Sequence, residues 1–460
     1  MNKAFDFLDE ISKNWKLDGW EENPKYFYFS EEVKRILSGE ISFVIGRKGS
    51  GKSTISKNII QNNSNEVVKN ISFYKMPYDE IERLGIKDTY EMVLFWKYII
   101  YSELCFMINE NSEIKENNKL FKHLFSTENP FKEIIKIKNL AIKTPLFSAE
   151  VSFDEKKYTI NELVDKMETI IFNEKLNKRY FLFFDELDSG FDINRFDNYL
   201  GIIKGLLKSI AFIKRELIIG SKNKFNVSPI AFIRDDIYDN IYDNDKAKWE
   251  DKIIYISWDE KSIMKMLNHR ICAMDLCNAK EVDFNTSWLK ICNDKLNKNC
   301  SFEGFKNLSR QTQYRPRDYI KFLAIASRIA LDNKARKINK HYLNQANREF
   351  SEYLLKEMKD ELHVYIPNID VIFSIIQEIT FETNSNKFTI GDFKEKLDER
   401  KIKNEYLNTL NYLFRFGVIG NYDNNTNKVY FSFRNNQLSI NTKQSFIIHP
   451  GLRKALQIYS

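Results

Sequence analysis

The stretch Ile41-Ser42-Phe43-Val44-Ile45-Gly46-Arg47-Lys48-Gly49-Ser50-Gly51-Lys52-Ser53 decides the fold. Its first part is an apolar run that reads as a strand, and Gly46–Ser53 is a complete phosphate-binding loop leading into a helix. The glycines let the backbone curl so that successive N–H groups point inward, and the helix starting near Ser53 adds the positive end of its dipole. Lys52 would reach the β- and γ-phosphates of a nucleoside triphosphate, and the Ser53 hydroxyl would coordinate Mg²⁺. Gly46, Arg47, Lys48, Gly49, Ser50, Gly51 and Thr54 complete the expected binding set. The competing reading, a glycine turn with an incidental Lys-Ser, does not account for the strand before the loop and the helix after it.

The second strong signal is Arg179-Tyr180-Phe181-Leu182-Phe183-Phe184-Asp185-Glu186-Leu187-Asp188. An all-apolar run is what a central parallel strand buried on both faces requires, and this one ends in two adjacent acids. At the carboxyl end of such a strand, one carboxylate can hold the Mg²⁺ shell and the next can polarise an attacking water. Asp185 is the expected metal-side acid and Glu186 the expected general base. Asp188 is equally explained as the N-cap of a following helix.

Ser228-Pro229-Ile230-Ala231-Phe232-Ile233-Arg234 is another short apolar strand, and it should deliver Arg234 beside the nucleotide. A cation there can stabilise γ-phosphate charge, or it can pair with Asp235, Asp236 or another acid; both readings stand. Strands are also expected at Val67–Tyr74 and Lys252–Ser257, and long helices at Thr89–Asn109 and Ile193–Ile218. From Asp259 the pattern is helical for about a hundred residues. Within it, Tyr314-Arg315-Pro316-Arg317 places two arginines at a helix start, where the dipole disfavours cations. That conflict points to an external anion, with a surface salt bridge as the alternative for Arg317.

Residues 366–460 read as three helices and a hairpin, Asn368–Ile379, Ile390–Leu397, Glu405–Phe416, then Gly417–Gly420 and Val429–Phe433, the description of a winged helix. The expected domains are an N-terminal cover (1–40), a P-loop core (41–258, with 77–150 inserted), a helical lid (259–365) and the winged helix (366–460).

Composition bounds the rest. Of 460 residues, 43% are apolar and 29% charged, with a net charge of +7, which permits nucleic-acid binding without arguing for it. The start Met1-Asn2-Lys3-Ala4-Phe5-Asp6 carries an acid and lacks a secretory apolar region. The greasy stretch Met92–Met107 is interrupted by Lys97 and Glu103 and is too short to span a bilayer. Five cysteines, Cys105, Cys272, Cys277, Cys292 and Cys300, form no CxxC pair, so reduced core thiols and a cytoplasmic location without membrane attachment are expected.

Taken together, the loop at Gly46–Ser53, Asp185-Glu186 at a strand end, Arg234, Arg315-Pro316-Arg317 and the C-terminal helix–hairpin pattern resemble the AAA+ and STAND group of P-loop ATPases, and among them the origin-recognition architecture. With Arg234-Asp235-Asp236 and His449-Pro450-Gly451-Leu452, the chain is similar to a little-characterised bacterial set of such ATPases, and some relatives of the broader group act against phage. The resemblance implies an α/β P-loop core with a parallel sheet, a lid and a winged helix, with ATP and Mg²⁺ as cofactors. It also implies a homo-oligomer, Arg234 at the first sensor place, and Arg315 and Arg317 at the second.

Three functions compete. The first is an ATPase switch in which Glu186 orients water while Lys52, Arg234 and Arg317 stabilise phosphoryl charge. The second is a slow-hydrolysing scaffold that recruits an effector protein. The third is a small-molecule kinase, which does not need the C-terminal two hundred or so residues. ATP is favoured over GTP because no Asn-Lys-x-Asp motif occurs in the chain. Residues 381–460 hold twelve Lys/Arg and seven Asp/Glu, compatible with phosphate contacts. The expected recognition helix offers only Asn408, Asn411 and Arg415 to a groove, so DNA and protein stand as equal partners for the winged helix.

Overall fold

The computed structural model describes residues 6–62, 66–73, 78–111, 129–140, 146, 149–153, 156–189, 195–274, 282–295, 302–402, 405–435 and 438–458. The chain divides into two compact units, Phe29–Ser257 and a second made of Met1–Tyr28 with Trp258–Ser460.

The Phe29–Ser257 unit is an α/β layer structure. Its main strands are β1 (Phe43–Gly46), β2 (Glu66–Ser72), β5 (Arg179–Asp185), β6 (Val227–Arg234) and β7 (Ile253–Ile256); β3 (Glu150–Phe153) and β4 (Lys156–Thr159) form a separate antiparallel pair. The five pair in the order β2-β5-β6-β1-β7, every neighbour parallel. Helices cover both faces, so β1, β5 and β6 need no polar side: Phe43, Val44, Ile45 and Tyr180 through Phe184 are fully buried. Each such side chain contributes about 1.5–3 kcal/mol of transfer free energy.

The helix Thr89–Glu110 packs against the helix Phe196–Gly220. The crossing depends on Gly205, where a Cβ would lie 2.2 Å from Met92 Cγ. Trp96 is fully buried at this contact and donates its Nε1–H to the Ile202 carbonyl at 2.9 Å. The expected insertion at 77–150 is therefore too wide, because Thr89–Glu110 is a central core helix of the unit. Met92 to Met107 is buried in it, and no helix among the described residues is long and apolar enough to cross a membrane. Residues 190–194, which include the expected start of the next helix at Ile193, lie outside the described set.

The second unit has a large hydrophobic core, running from Leu8 through Trp288 and Phe350 to Ile458, with a smaller cluster of Tyr422, Phe431, Phe433 and Ile447. Its helices are Phe7–Asn14, Glu260–Met274, Phe284–Ile291, Glu303–Gln311, Pro316–Asp332, Lys340–Leu362, Ile369–Glu382, Ile390–Glu399 and Tyr406–Arg415. A four-stranded antiparallel sheet follows, built from β8 (Lys387–Phe388), β9 (Ile419–Asp423), β10 (Lys428–Tyr430) and β11 (Ser445–Ile448) in the order β10-β9-β11-β8. The segments 259–365 and 366–460, expected as separate domains, share this core. Gln313 Nε2 donates to the carbonyls of Phe416 (3.1 Å) and Gly417 (3.2 Å), and Gly451 fits where a Cβ would lie 2.1 Å from the Gln311 carbonyl oxygen. His449 stacks edge-on to Phe431 and Phe433, and burial pushes its pKa down to about 3, so it packs as a neutral ring.

Two local expectations change. The N-terminal segment is not all cover for the P-loop unit: Glu31–Leu37 belongs to that unit, whereas residues up to Tyr28 belong to the helical one. There Glu22 and Arg270 form a buried ion pair of 2.7 Å, with the guanidinium against the rings of Trp15 and Tyr26. The strand expected at Val429–Phe433 ends at Tyr430, because Ser432 Oγ donates to the Phe414 carbonyl at 2.7 Å and starts a tight turn. The apolar run Phe446-Ile447-Ile448 in β11 supplies the strand between β9 and β8.

Candidate functional site

The phosphate loop uses its three glycines in two ways. Gly49 and Gly51 adopt φ of +76° and +99°, the left-handed region that an L side chain resists. Gly46 is a close-approach position, where a Cβ would meet Ser50 Oγ at 2.7 Å and the Ile256 carbonyl at 3.0 Å. The helix Lys52–Asn62 starts directly after the loop, so the first-turn N–H groups of Lys52, Ser53 and Thr54 belong to a helix N-terminus, a ready anion-binding geometry. Lys52 Nζ donates to the carbonyls of Gly46 (2.7 Å) and Arg47 (3.0 Å), which folds the ammonium back onto the loop. Ser50 N–H closes the turn onto the Arg47 carbonyl at 3.2 Å.

Register brings the acids to this loop. Gly46 on β1 is opposite Arg234 on β6, and Phe184 on β5 is opposite Ala231 on β6, so the carboxyl ends of all three strands lie side by side. Ser53 Oγ stands 3.4 Å from Asp185 Oδ1, across 132 positions of sequence. Asp185 Oδ1 also accepts the N–H of Glu186 at 2.8 Å, while Asp185 Oδ2 is buried without a hydrogen-bond partner among the described residues. Burial pushes the Asp185 carboxyl up to about 6, against the pull of the Glu186 N–H and the Lys52 ammonium. A buried carboxylate that is costly to ionise, with an open oxygen and a serine hydroxyl beside it, is an oxygen-donor pair suited to a hard divalent cation. Ser53 and Asp185 would hold Mg²⁺.

Glu186 sits at φ +57°, a strained conformation for a non-glycine residue. Its carboxylate accepts a hydrogen bond from Ser72 Oγ, at the end of β2 and in register with Asp185. Sequence reading missed Ser72, because only strand pairing tells which residue of β2 lies opposite the acid pair.

Arg234 emerges at the loop as expected, and its guanidinium is clasped. Nε and Nη2 fork onto the two oxygens of Asp236 at 2.9 and 2.6 Å, and Nη1 reaches Asp188 at 3.2 Å. The ion-pair reading describes this arrangement, and Asp188 acts as one of its arms. Burial lowers the Lys52 pKa, Asp188, Asp235 and Asp185 oppose that shift, and Arg234 adds to it.

The second pair of arginines belongs to the helical unit. Arg315 is 3% exposed and not placed to receive a nucleotide: Nε lies 3.2 Å from both oxygens of Asp318, and Nη1 lies 2.8 Å from Glu361. Burial acts to lower its pKa, but Asp318 and Glu361 carry it above its ordinary value. The expectation that Arg315 binds the cofactor is corrected by this network. Arg317 is less enclosed and lies 3.5 Å from Glu357, the surface-pair geometry. Cys105, Cys272 and Cys292 are free thiols, and no cluster of three metal-binding side chains occurs among the described residues; Cys277 and Cys300 lie outside them.

Comparison with known proteins adds the following. Residues 261–359 match the family described as the FunZ-associated C-terminal helical domain. A transposon gamma-delta 80.3 kDa protein of Escherichia coli (strain K12) is 24% identical over 450 residues, taking in 90% of this chain. The match covers 62% of that relative, so the chain spans less than two thirds of its length. Among solved structures, the ORC2 protein of Aeropyrum pernix is 11% identical with a TM-score of 0.41, over 93% of this chain and 89% of its own. The A. pernix ORC1 protein in complex with DNA gives 11% and 0.38, over 93% and 91%. Cdc6p from Pyrobaculum aerophilum gives 12% and 0.30, over 93% and 91%. These are distant likenesses of fold and carry nothing about this chain's chemistry.

Proposed function

We propose that the chain is a Mg²⁺-dependent ATP-hydrolysing switch of the AAA+/STAND kind. The observation that supports it best is the approach of the phosphate loop to the acid pair, Ser53 Oγ standing 3.4 Å from Asp185 Oδ1. Bound Mg²⁺ would neutralise charge on the β- and γ-phosphates. The loop N–H groups and Lys52 would hold the triphosphate, Lys52 leaving its carbonyl partners to do so. Glu186 would accept a proton from the attacking water once its bond to Ser72 is exchanged. Arg234 would serve as a phosphate sensor only when the Asp188 and Asp236 clasp opens. In this reading the nucleotide state governs engagement of DNA or an effector by a C-terminal winged helix, within a homo-oligomer. An antiphage setting follows from the family resemblance, and a DNA-linked one suits a transposon-borne relative.

A second reading, a slow-hydrolysing scaffold that recruits an effector protein, is favoured by two contacts. Ser72 restrains the general base, and two carboxylates occupy Arg234. The deciding measurement is ATP turnover of wild type beside Lys52→Ala and Glu186→Gln, with mass determined in each nucleotide state. Lys52→Ala is expected to lose nucleotide binding. Glu186→Gln should bind ATP yet turn over at least about a hundredfold more slowly. Equal turnover in all three proteins sinks the assignment, and phosphate appearing on an acceptor other than water makes the chain a kinase.

A further inference from the structure

The cations of the helical unit fall into two populations. On the helix Ile390–Glu399, Lys396 pairs with Glu382 (2.8 Å), Glu399 (2.9 Å) and Glu378 (3.5 Å), and the adjacent Arg400 pairs with Glu378. The turn between Pro316–Asp332 and Lys340–Leu362 differs. It carries Lys334, Arg336, Lys337 and Lys340, all exposed, and among the described residues none has a carboxylate within ion-pair distance.

This turn is fixed in place. Ile338 N–H donates to the Ile291 carbonyl at 2.8 Å, Asn293 N–H to the Ile338 carbonyl at 2.6 Å, and Lys337 Nζ to the Leu289 carbonyl at 2.6 Å. Of the nearby acids, Asp294 is engaged within the fold. Asp294 accepts the N–H groups of Gly304 (3.0 Å) and Phe305 (3.1 Å) and the Trp288 indole N–H (3.1 Å), and Asp332 stands 3.9 Å from Arg328. Glu303, whose N–H donates to the Lys295 carbonyl at 3.4 Å, and Asp332 are exposed acids beside the turn. Lys340 and His341 open a helix of 23 residues with no acid in its first turn, so its dipole adds positive potential to the same place.

We propose that the Lys334–Lys340 turn is a contact surface for the phosphate backbone of duplex DNA, separate from any contact made by the C-terminal helix–hairpin module. A fixed group of uncompensated cations suits a partner of high charge density, and duplex DNA carries one charge per about 1.7 Å of axis. A single strand would need aromatic platforms for its bases, and none of the large exposed aromatic residues lies in 282–295 or 333–341. An anionic membrane or an amphipathic peptide would need an apolar face, and the large exposed apolar residue here is Leu289 alone among the described residues of those segments. The surface does not depend on ATP hydrolysis, so its failure and the failure of the ATPase reading are separable.

The test measures affinity of the full chain for a random-sequence duplex from low to moderate salt, for wild type and Lys334→Gln/Arg336→Gln/Lys340→Gln. Lys337 is left in place because it bonds the Leu289 carbonyl. The triple variant is expected to lose at least about tenfold in affinity at 0.1 M salt, with the slope of log affinity against log salt reduced by about 2 to 3. Its circular dichroism spectrum and urea unfolding curve should match wild type, which excludes misfolding. Lys334→Arg/Lys340→Arg, which keeps the charge, should retain binding. Unchanged affinity and slope in the triple variant overturn the proposal. So does a wild type that binds no duplex at low salt, or one that prefers a single strand, an acidic polypeptide or anionic vesicles.

Discussion

Two regions of the molecule set buried cations against carboxylates, and they do opposite things. Around Gly46–Asp185 the protein's own charges do not satisfy one another: the Asp185 carboxyl is held up to about 6 and the Lys52 pKa is lowered. Around Arg315 the two carboxylates overcome the burial penalty and raise the arginine above its ordinary value. Both regions contain a motif that reads as phosphate-binding in sequence. The difference teaches that charge left uncompensated inside the fold, rather than charge as such, marks where an external ion is accommodated.

The largest test of that contrast is at the Arg315 network. Glu361→Gln removes one partner and leaves the guanidinium buried, so stability should fall by about 3–5 kcal/mol, read from urea unfolding of the helical unit. Asp185→Asn should not cost the P-loop unit a comparable amount. If Glu361→Gln is neutral, Arg315 is not a structural ion and the contrast breaks.

A smaller effect follows from Asp185 itself. Its folded pKa of about 6 lies above the ordinary 3.8, so the native state keeps a proton that the unfolded chain has already lost. Stability should therefore fall as pH rises from about 4 to about 6, by up to about 3 kcal/mol, and level off above that. Asp185→Asn should flatten this slope, and Mg²⁺ with nucleotide, which favours the ionised form, should oppose it. Unfolding curves of wild type and Asp185→Asn that run parallel across this pH range would remove the argument for a metal-poised carboxylate.

The smallest expected effect is at Ser72. One hydrogen bond contributes about 1 kcal/mol, so Ser72→Ala should release Glu186 and raise basal ATP turnover by about fivefold in steady-state assays. A fall in turnover would instead make Ser72 a group that positions the base.

Much of the P-loop unit is legible in the amino-acid sequence. The apolar runs of β1, β5 and β6 announce themselves because strands buried on both faces have no polar positions, and the loop at Gly46–Ser53 follows from local backbone chemistry. The polar contacts are less legible. Ser72, Asp188 and Glu361 are 114, 46 and 46 positions from the side chains they bond, and no local spacing reports such pairings. β11 escapes the sequence pattern. Thr89–Glu110 reads as part of an insertion although it sits in the core, because a helix buried on most sides has little amphipathic period to betray its place.

By itself, the sequence determined that this chain carries a phosphate loop at Gly46–Ser53, an acid pair at Asp185-Glu186 and an arginine at the end of a third strand, since each is written in contiguous residues with distinct backbone demands. Only the tertiary structure decided which charges are left for a ligand. It closed Arg234 with Asp188 and Asp236, enclosed Arg315 with Asp318 and Glu361, and left Asp185 Oδ2 without a hydrogen-bond partner and the cations of the Lys334–Lys340 turn without a paired carboxylate among the described residues. The physical reason is that the free energy of a charge depends on its solvation and its nearest opposite charge, and both are set by strand register and helix packing rather than by neighbours in sequence.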